Sequence, residues 1–299
     1  MTDEAPRRAR TAAEFAPLIG RLFLDDERER ALASYRPRPT DVIISPFGKC
    51  GTTWLQQSFH CLRTRGDMSF DDISRVAPWI ETSVALNLDI NAEQRANPRG
   101  FKSHLAYEDL PKGARYVVSL RDPRDALVSM YKFMEGWFIE PGTVPMEQFA
   151  FGWAASGRYW RHLTSWWAQR DNPAVLLFSY EHMSEDPTRY IERLAAFCGI
   201  PLDNKLLQIT LERTSLPFML LHKDKFDDLM MRQKSEERCN LPPGSESAKV
   251  RQGGAGGHRT VLSSQVTAML DEAWAKEAAP ATGFANYAEL AAELRRLSA

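Results

Sequence analysis

Apolar and polar positions change period several times along the chain, and each change marks an element. Phe15, Leu18, Ile19, Leu22 and Phe23 recur at the spacing of one helix face. That spacing predicts a helix over residues 12–35, stopped by Pro37 and Pro39. The run from Asp41 to Pro46, DVIISP, is short, apolar and β-branched, which predicts a buried strand. A glycine-containing turn follows, and TTWLQQSFHCL then reads as a helix. The alternation returns twice. YVVSL at Tyr116–Leu120 predicts a strand, followed by a helix from Pro123 to Met134. VLLFSY at Val175–Tyr180 predicts another, followed by a helix from Pro187 to Cys198. Strand followed by helix, three times over, predicts an α/β fold with a central, mainly parallel sheet flanked by helices.

Length, composition and charge narrow the classes. At 299 residues, with no internal repeat or low-complexity linker, one domain spanning 1–299 is expected. Hydrophobic residues make up 43% and charged residues 26%, an ordinary globular balance. A formal net charge of -1 offers no basic excess for a nucleic-acid backbone, so any anion site must be built locally. Cys50, Cys61, Cys198 and Cys239 form no CxxC pair and read as reduced thiols. The N-terminal residues show no apolar run of the secretory type, and Arg21 interrupts Leu18–Leu24. No membrane span is expected, and a cytoplasmic location is. Residues 253–257, GGAGG, are too short for a domain linker and read as a mobile or ligand-wrapping loop.

The most specific local pattern is a strand, a turn and a helix through Pro46-Phe47-Gly48-Lys49-Cys50-Gly51-Thr52-Thr53-Trp54. Gly51 lets backbone approach a ligand closely. Thr52 and Thr53 fall at a helix N-terminus, where free N–H groups and the helix dipole favour an anion, and Lys49 adds a charge. It is not a Walker A loop, because the lysine precedes the last glycine instead of following it. Taken alone, the segment could equally be a turn with a threonine cap.

Farther on, Phe101-Lys102-Ser103-His104-Leu105 holds a histidine suited to general-base work, with Lys102 on the same face if the segment is extended. Leu120-Arg121-Asp122-Pro123-Arg124-Asp125 places an arginine just after a strand, where a βα turn presents ligand contacts. Arginine's fork suits phosphate, and Ser129 follows about two helical turns on. The plain alternatives are a surface pairing of Arg121 with Asp122 or Asp125, and a helix-packing role for Ser129.

Together, in this order, these segments resemble the cytosolic-type sulfotransferase family, which uses 3′-phosphoadenosine 5′-phosphosulfate (PAPS). Gly48–Trp54 resembles that family's PKSGTTW loop, with Gly48 for proline and Cys50 for serine. Residues 101–105 resemble KTHLP, 121–129 resemble RNPKDVAVS, and Tyr180–Pro187 resembles YEDMKEDP. Arg251-Gln252-Gly253 resembles the RKG segment, with glutamine for lysine, and Gly257-His258 stands where the family has DW. Val76–Glu81 is similar to RxPxxE, and Trp166-Trp167 precedes the third strand as in the family. The likeness spans about residues 40–265; the first 35 and last 30 carry no such motif.

The resemblance implies a P-loop-like phosphate site and assigns roles. Lys49 would hold the bridging oxygen, Cys50, Gly51, Thr52 and Thr53 would cradle the 5′-phosphate, and Trp54 would stack on adenine. Arg121, Ser129, Arg251, Gln252 and Gly253 would bind the 3′-phosphate; Tyr180 and Thr214 would contact the adenosine part. His104 would be the base, Lys102 would stabilise the sulfuryl oxygens, and Ser129 would hydrogen-bond Lys49 until both substrates are bound. The reaction implied is in-line transfer of a sulfuryl group to a hydroxyl or amine, leaving adenosine 3′,5′-bisphosphate (PAP), with no metal and no nucleic acid partner. Phe47, Trp79, Ile80, Phe133, Met134 and Trp137 would line an apolar pocket for a phenol, sterol-like alcohol or glycolipid. The dimer motif KxxxTVxxxE survives at most as Thr260-Val261 with Gln265, so the oligomeric state is open. A kinase with a variant P-loop, which would need Asp122 for Mg²⁺, and a non-catalytic PAP-binding protein are the competing readings.

Overall fold

Alternating side chains on short parallel strands carry the architecture. In this computed structural model, which describes residues 5–245, 249–251 and 253–297, four strands form one parallel sheet in the order β2-β1-β3-β4. They are β1 (Val42–Ile44), β2 (Gly100–Lys102), β3 (Arg115–Leu120) and β4 (Val175–Ser179). Both faces are buried. Val42, Ile44, Val117, Leu176 and Phe178 meet Leu55, Phe59 and Leu62 of the Thr52–Thr64 helix and Ile191 and Leu194 of the Pro187–Cys198 helix. Ile43, Tyr116, Val118, Leu120, Val175 and Leu177 turn to the other face, against Ala126 and Leu127 of the Pro123–Trp137 helix and Trp160 and Trp166 of the Arg158–Trp167 helix. The period of two between faces is the strand's own pleat, and burial on both sides explains why the strands read as continuous apolar runs.

The predicted strands and helices form, with three adjustments. The helix expected over 12–35 is two helices, Ala12–Leu22 and Asp25–Ser34, because Phe23 and Leu24 are extended. β4 ends at Ser179 and Tyr180 opens a helix, Tyr180–Glu185. β2 is a fourth strand beyond the three predicted, paired in parallel with β1 through Val42↔Gly100, Ile43↔Phe101 and Ile44↔Lys102.

A buried ion pair ties the start of β1 to the segment entering β2. Arg99 Nη2 meets Asp41 Oδ2 at 2.6 Å, Arg99 Nε donates to Asp41 Oδ1 at 2.9 Å, and the Tyr35 hydroxyl donates to Asp41 Oδ2 at 2.9 Å. The four cysteines are buried free thiols. Among the described residues, no helix is long and apolar enough to cross a membrane.

Candidate active site

All four strands point their carboxyl ends at one cavity of about 2050 Å³, the expected place for a ligand in an open parallel sheet. The loop after β1 supplies its floor. Lys49 and Gly51 both take left-handed backbone, with φ of 70° and 96°. A Cβ on Gly51 would stand 2.9 Å from the Tyr180 ring, so the turn requires glycine there. The helix behind the loop makes its first bond from Leu55 N–H to the Gly51 carbonyl, leaving the N–H groups of Thr52, Thr53 and Trp54 without intrahelical acceptors. The Thr52 hydroxyl, Trp54 Nε1 and Arg121 Nε are buried and unpartnered. Buried polar atoms of this kind are costly unless a ligand completes them, and here they fit an anionic nucleotide.

Arg121, at the end of β3, braces two loops. It donates to the Lys49 carbonyl at 2.8 Å and to the Gly254 carbonyl at 3.1 Å, and its guanidinium lies 4.2 Å from the Tyr180 ring centroid. It pairs with neither Asp122 nor Asp125. Asp122 instead caps the helix that follows, accepting from Arg124 N–H at 2.8 Å. Asp125 holds the glycine loop down: it accepts from Gly256 N–H at 2.6 Å, from His258 N–H at 3.0 Å and from His258 Nδ1 at 2.9 Å. Gly257-His258, the pair standing where the family has DW, thus still fastens the loop to the helix start.

The opposite wall carries the titratable groups. A backbone carbonyl can only accept, so the 2.7 Å contact of His104 Nδ1 with Pro46 O puts the proton on Nδ1 and leaves Nε2 an acceptor. Burial, then the charge of Lys102, holds His104 well below its usual pKa, so it is neutral. Glu81 fixes the segment, accepting from Ser103 Oγ at 2.9 Å and His104 N–H at 2.8 Å. Burial lowers Lys49 to about 7, helped by Lys249 and the arginines 121 and 251; it lowers Lys102 to about 8, opposed by Asp228. Lys49 Nζ sits 4.2 Å from the Phe133 ring centroid and Lys102 Nζ 4.1 Å from that of Trp79.

Of the residues singled out in the sequence, Phe47, Lys49, Gly51, Thr52, Thr53, Trp54, Trp79, Lys102, His104, Arg121, Ser129, Phe133, Met134, Trp137, Tyr180, Thr214, Arg251 and Gly253 line this cavity. Two do not. Ile80 is fully buried in the main core, because its short 3-10 turn faces inward. Cys50 is buried with its thiol in the same core, so it can offer only backbone. Gln252 lies outside the described residues. Ser129 lies one turn before Phe133, and no hydrogen bond joins it to Lys49 among the described residues.

Several contributors carried no sequence motif. Asp228 and Lys249 line the cavity beside Lys102, and the Ala12–Leu22 helix adds Phe15, Ala16 and Ile19 to its wall. The apolar stripe of that helix was legible, but not what it faced.

The family model for the sulfotransferase domain matches residues 39–282. Sulfotransferase 2A1 of Homo sapiens is 31% identical over 198 residues, covering 62% of this chain and 68% of that one. Sulfotransferase 1B1 of Canis lupus familiaris is 29% identical over 203 residues, covering 63% and 69%. Among solved structures, retinol dehydratase in complex with androsterone and the inactive cofactor PAP has the same fold, with TM-score 0.68, 19% identity and coverage of 91% and 95%. Mouse sulfotransferase SULT7A1 complexed with PAP gives TM-score 0.65 at 19% identity, covering 85% and 90%.

Proposed function

The chain belongs to the sulfotransferase family, and from that premise we propose that His104 is the general base of sulfuryl transfer from PAPS to a hydroxyl, or an amine, on a small apolar acceptor. PAPS-dependent sulfuryl transfer is the family's reaction; the base, the acceptor and the individual contacts are the proposal. The observation that carries it is the neutral His104, with Nδ1–H spent on Pro46 and Nε2 free, lining the same cavity as the anion cradle at Gly51–Trp54.

The steps follow from the chain's own residues. Nε2 of His104 accepts the acceptor's proton as its oxygen attacks sulfur. The bond from sulfur to the bridging oxygen breaks, and negative charge collects on the departing 5′-phosphate of PAP. Lys49 and the N–H groups of Thr52 and Thr53 meet that growing charge, which lowers the transition state more than the ground state. Lys102 faces the equatorial sulfuryl oxygens. Arg121, Ser129 and Arg251 take the 3′-phosphate, while Trp54 and Tyr180 flank the adenine. Cys50 and Gly253 contribute backbone. Thr214 lies with its hydroxyl already donated to the Thr210 carbonyl at 2.7 Å, so toward adenosine it could only accept a hydrogen bond.

The acceptor wall is apolar: Phe15, Ile19, Trp79, Phe133, Trp137 and Phe149. The retinol dehydratase structures hold androsterone in one case and retinol in another, and an apolar alcohol of that size suits this wall, as would the lipid part of a glycolipid.

The test is transfer of labelled sulfate from PAPS to a panel of phenols, steroids, amines and glycolipids. His104→Ala should lose about 10²–10⁴ in turnover while PAP binding stays within about threefold, as expected for loss of a general base. Full turnover in the mutant would remove His104 from the chemistry.

A further inference from the structure

Asp228 is nearly fully buried, yet it has left-handed backbone at φ 47° ahead of the Leu229–Cys239 helix. Its Oδ1 meets Lys249 Nζ at 2.6 Å and Lys102 Nζ at 3.5 Å. Two ammonium groups therefore share one carboxylate oxygen, and the side chains of all three residues are at most 9% exposed. One carboxylate cannot neutralise two cations, and Lys49 brings a third to the same cavity. Asp72 and Glu81 also draw Lys102, but among the described residues Lys102 and Lys249 form ion pairs only with Asp228. Asp72 accepts from Ser74 N–H and Met230 N–H, and Glu81 accepts from Ser103 and His104. Burying uncompensated positive charge is expensive unless an anion arrives to complete it.

Resting on the sulfotransferase reading, we propose that Lys249 is a further ligand of the transferred sulfuryl group, and that Asp228 is the positioning residue that aims Lys249 and Lys102 at it. The sulfuryl group is preferred over either phosphate because Lys249 shares its partner oxygen with Lys102, the lysine beside His104. The phosphate contacts at Gly51–Trp54 and Arg121 come from other strand ends.

Titration supports the geometry. Burial alone would raise Asp228, but Lys102 and Lys249 override it and hold the carboxyl below its usual range. The charged groups facing Lys102 are Asp228, Lys249, Asp72 and Glu81, with His104 alongside; those facing Lys49 are Lys249, Asp228, Arg121 and Arg251. Asp228 raises Lys102 against the lowering effect of burial, so its removal lets Lys102 lose its proton at lower pH.

PAPS and PAP differ only in the sulfuryl group, and that difference gives the test. Binding of each is measured for the wild type, Lys249→Met and Asp228→Asn, along with the pH dependence of kcat/KM for PAPS. Lys249→Met is expected to weaken PAPS by about tenfold and PAP by less than about threefold, the scale of one charge-assisted hydrogen bond. Asp228→Asn is expected to move the alkaline limb down by about one pH unit or more, the usual effect of losing an opposite charge at contact. Equal weakening of PAPS and PAP by Lys249→Met, or an alkaline limb unmoved in an Asp228→Asn protein that still binds PAP, would overturn the inference. A wild type that binds PAP but transfers nothing from PAPS would instead sink the reading beneath it.

Discussion

A buried lysine with a pKa near neutrality is a poised charge. Lys49 at about 7 and Lys102 at about 8 are both lowered chiefly by burial, and both face a cavity suited to an anion. A bound phosphate favours the charged form and raises each pKa, so nucleotide binding near pH 7.5 should take up protons. Calorimetric titration of PAP in buffers of different ionisation enthalpy checks this. Net uptake is expected at pH 7.5, shrinking toward about pH 6, where both lysines are already protonated; no dependence on buffer at pH 7.5 would contradict the assignment. His104 works by the opposite logic. The Pro46 carbonyl fixes its tautomer and burial keeps it neutral, so it is a base before any ligand arrives. The residue types at 49, 102 and 104 were legible as charge and base; their pKa values depend on burial, which only packing supplies.

Elements decide which residues meet. β2 is three residues long and begins with a glycine, so no apolar period marks it. It is a strand because β1 pairs with it, and because Gly100 lets Phe59 lie against the backbone: a Cβ there would stand 2.2 Å from that ring. Its place beside β1 brings Lys102 and His104 next to the phosphate loop. The Asp41–Arg99 pair, with Tyr35, fastens these two strands at their amino ends. Arg99→Met should cost about 3–5 kcal/mol of stability, because it strands a buried carboxylate. Urea unfolding of the variant with unchanged m-value would report it; a loss below about 1 kcal/mol would mean that Asp41 finds water or another partner. Asp41 and Arg99 are far apart in sequence, and nothing local announces that they pair.

At the scale of the whole molecule, one cavity runs from the N-terminal helix to the glycine loop. Its nucleotide half is made by the sheet's carboxyl edge and its acceptor half by apolar helices, including Ala12–Leu22 from outside the motif-bearing region. The halves should therefore respond separately. Ile19→Asn is expected to raise the acceptor KM by about tenfold, the scale of the apolar area that one aliphatic side chain shares with a ligand, and to leave PAP binding unchanged. A parallel loss of PAP binding would mean that the helix supports the nucleotide half as well.

Sequence alone determined what is local: the strand–turn–helix at Gly51, the burial of apolar runs and the chemical type of each motif residue. Those follow from backbone sterics, side-chain period and charge, which a short window contains. Tertiary structure alone decided that β2 is a strand, that Ile80 and Cys50 turn into the core, that His258 latches to Asp125 and that Asp228 gathers Lys102 and Lys249. Each of these depends on groups distant in the chain sharing buried space, where a low dielectric and close packing, not sequence spacing, choose the partners.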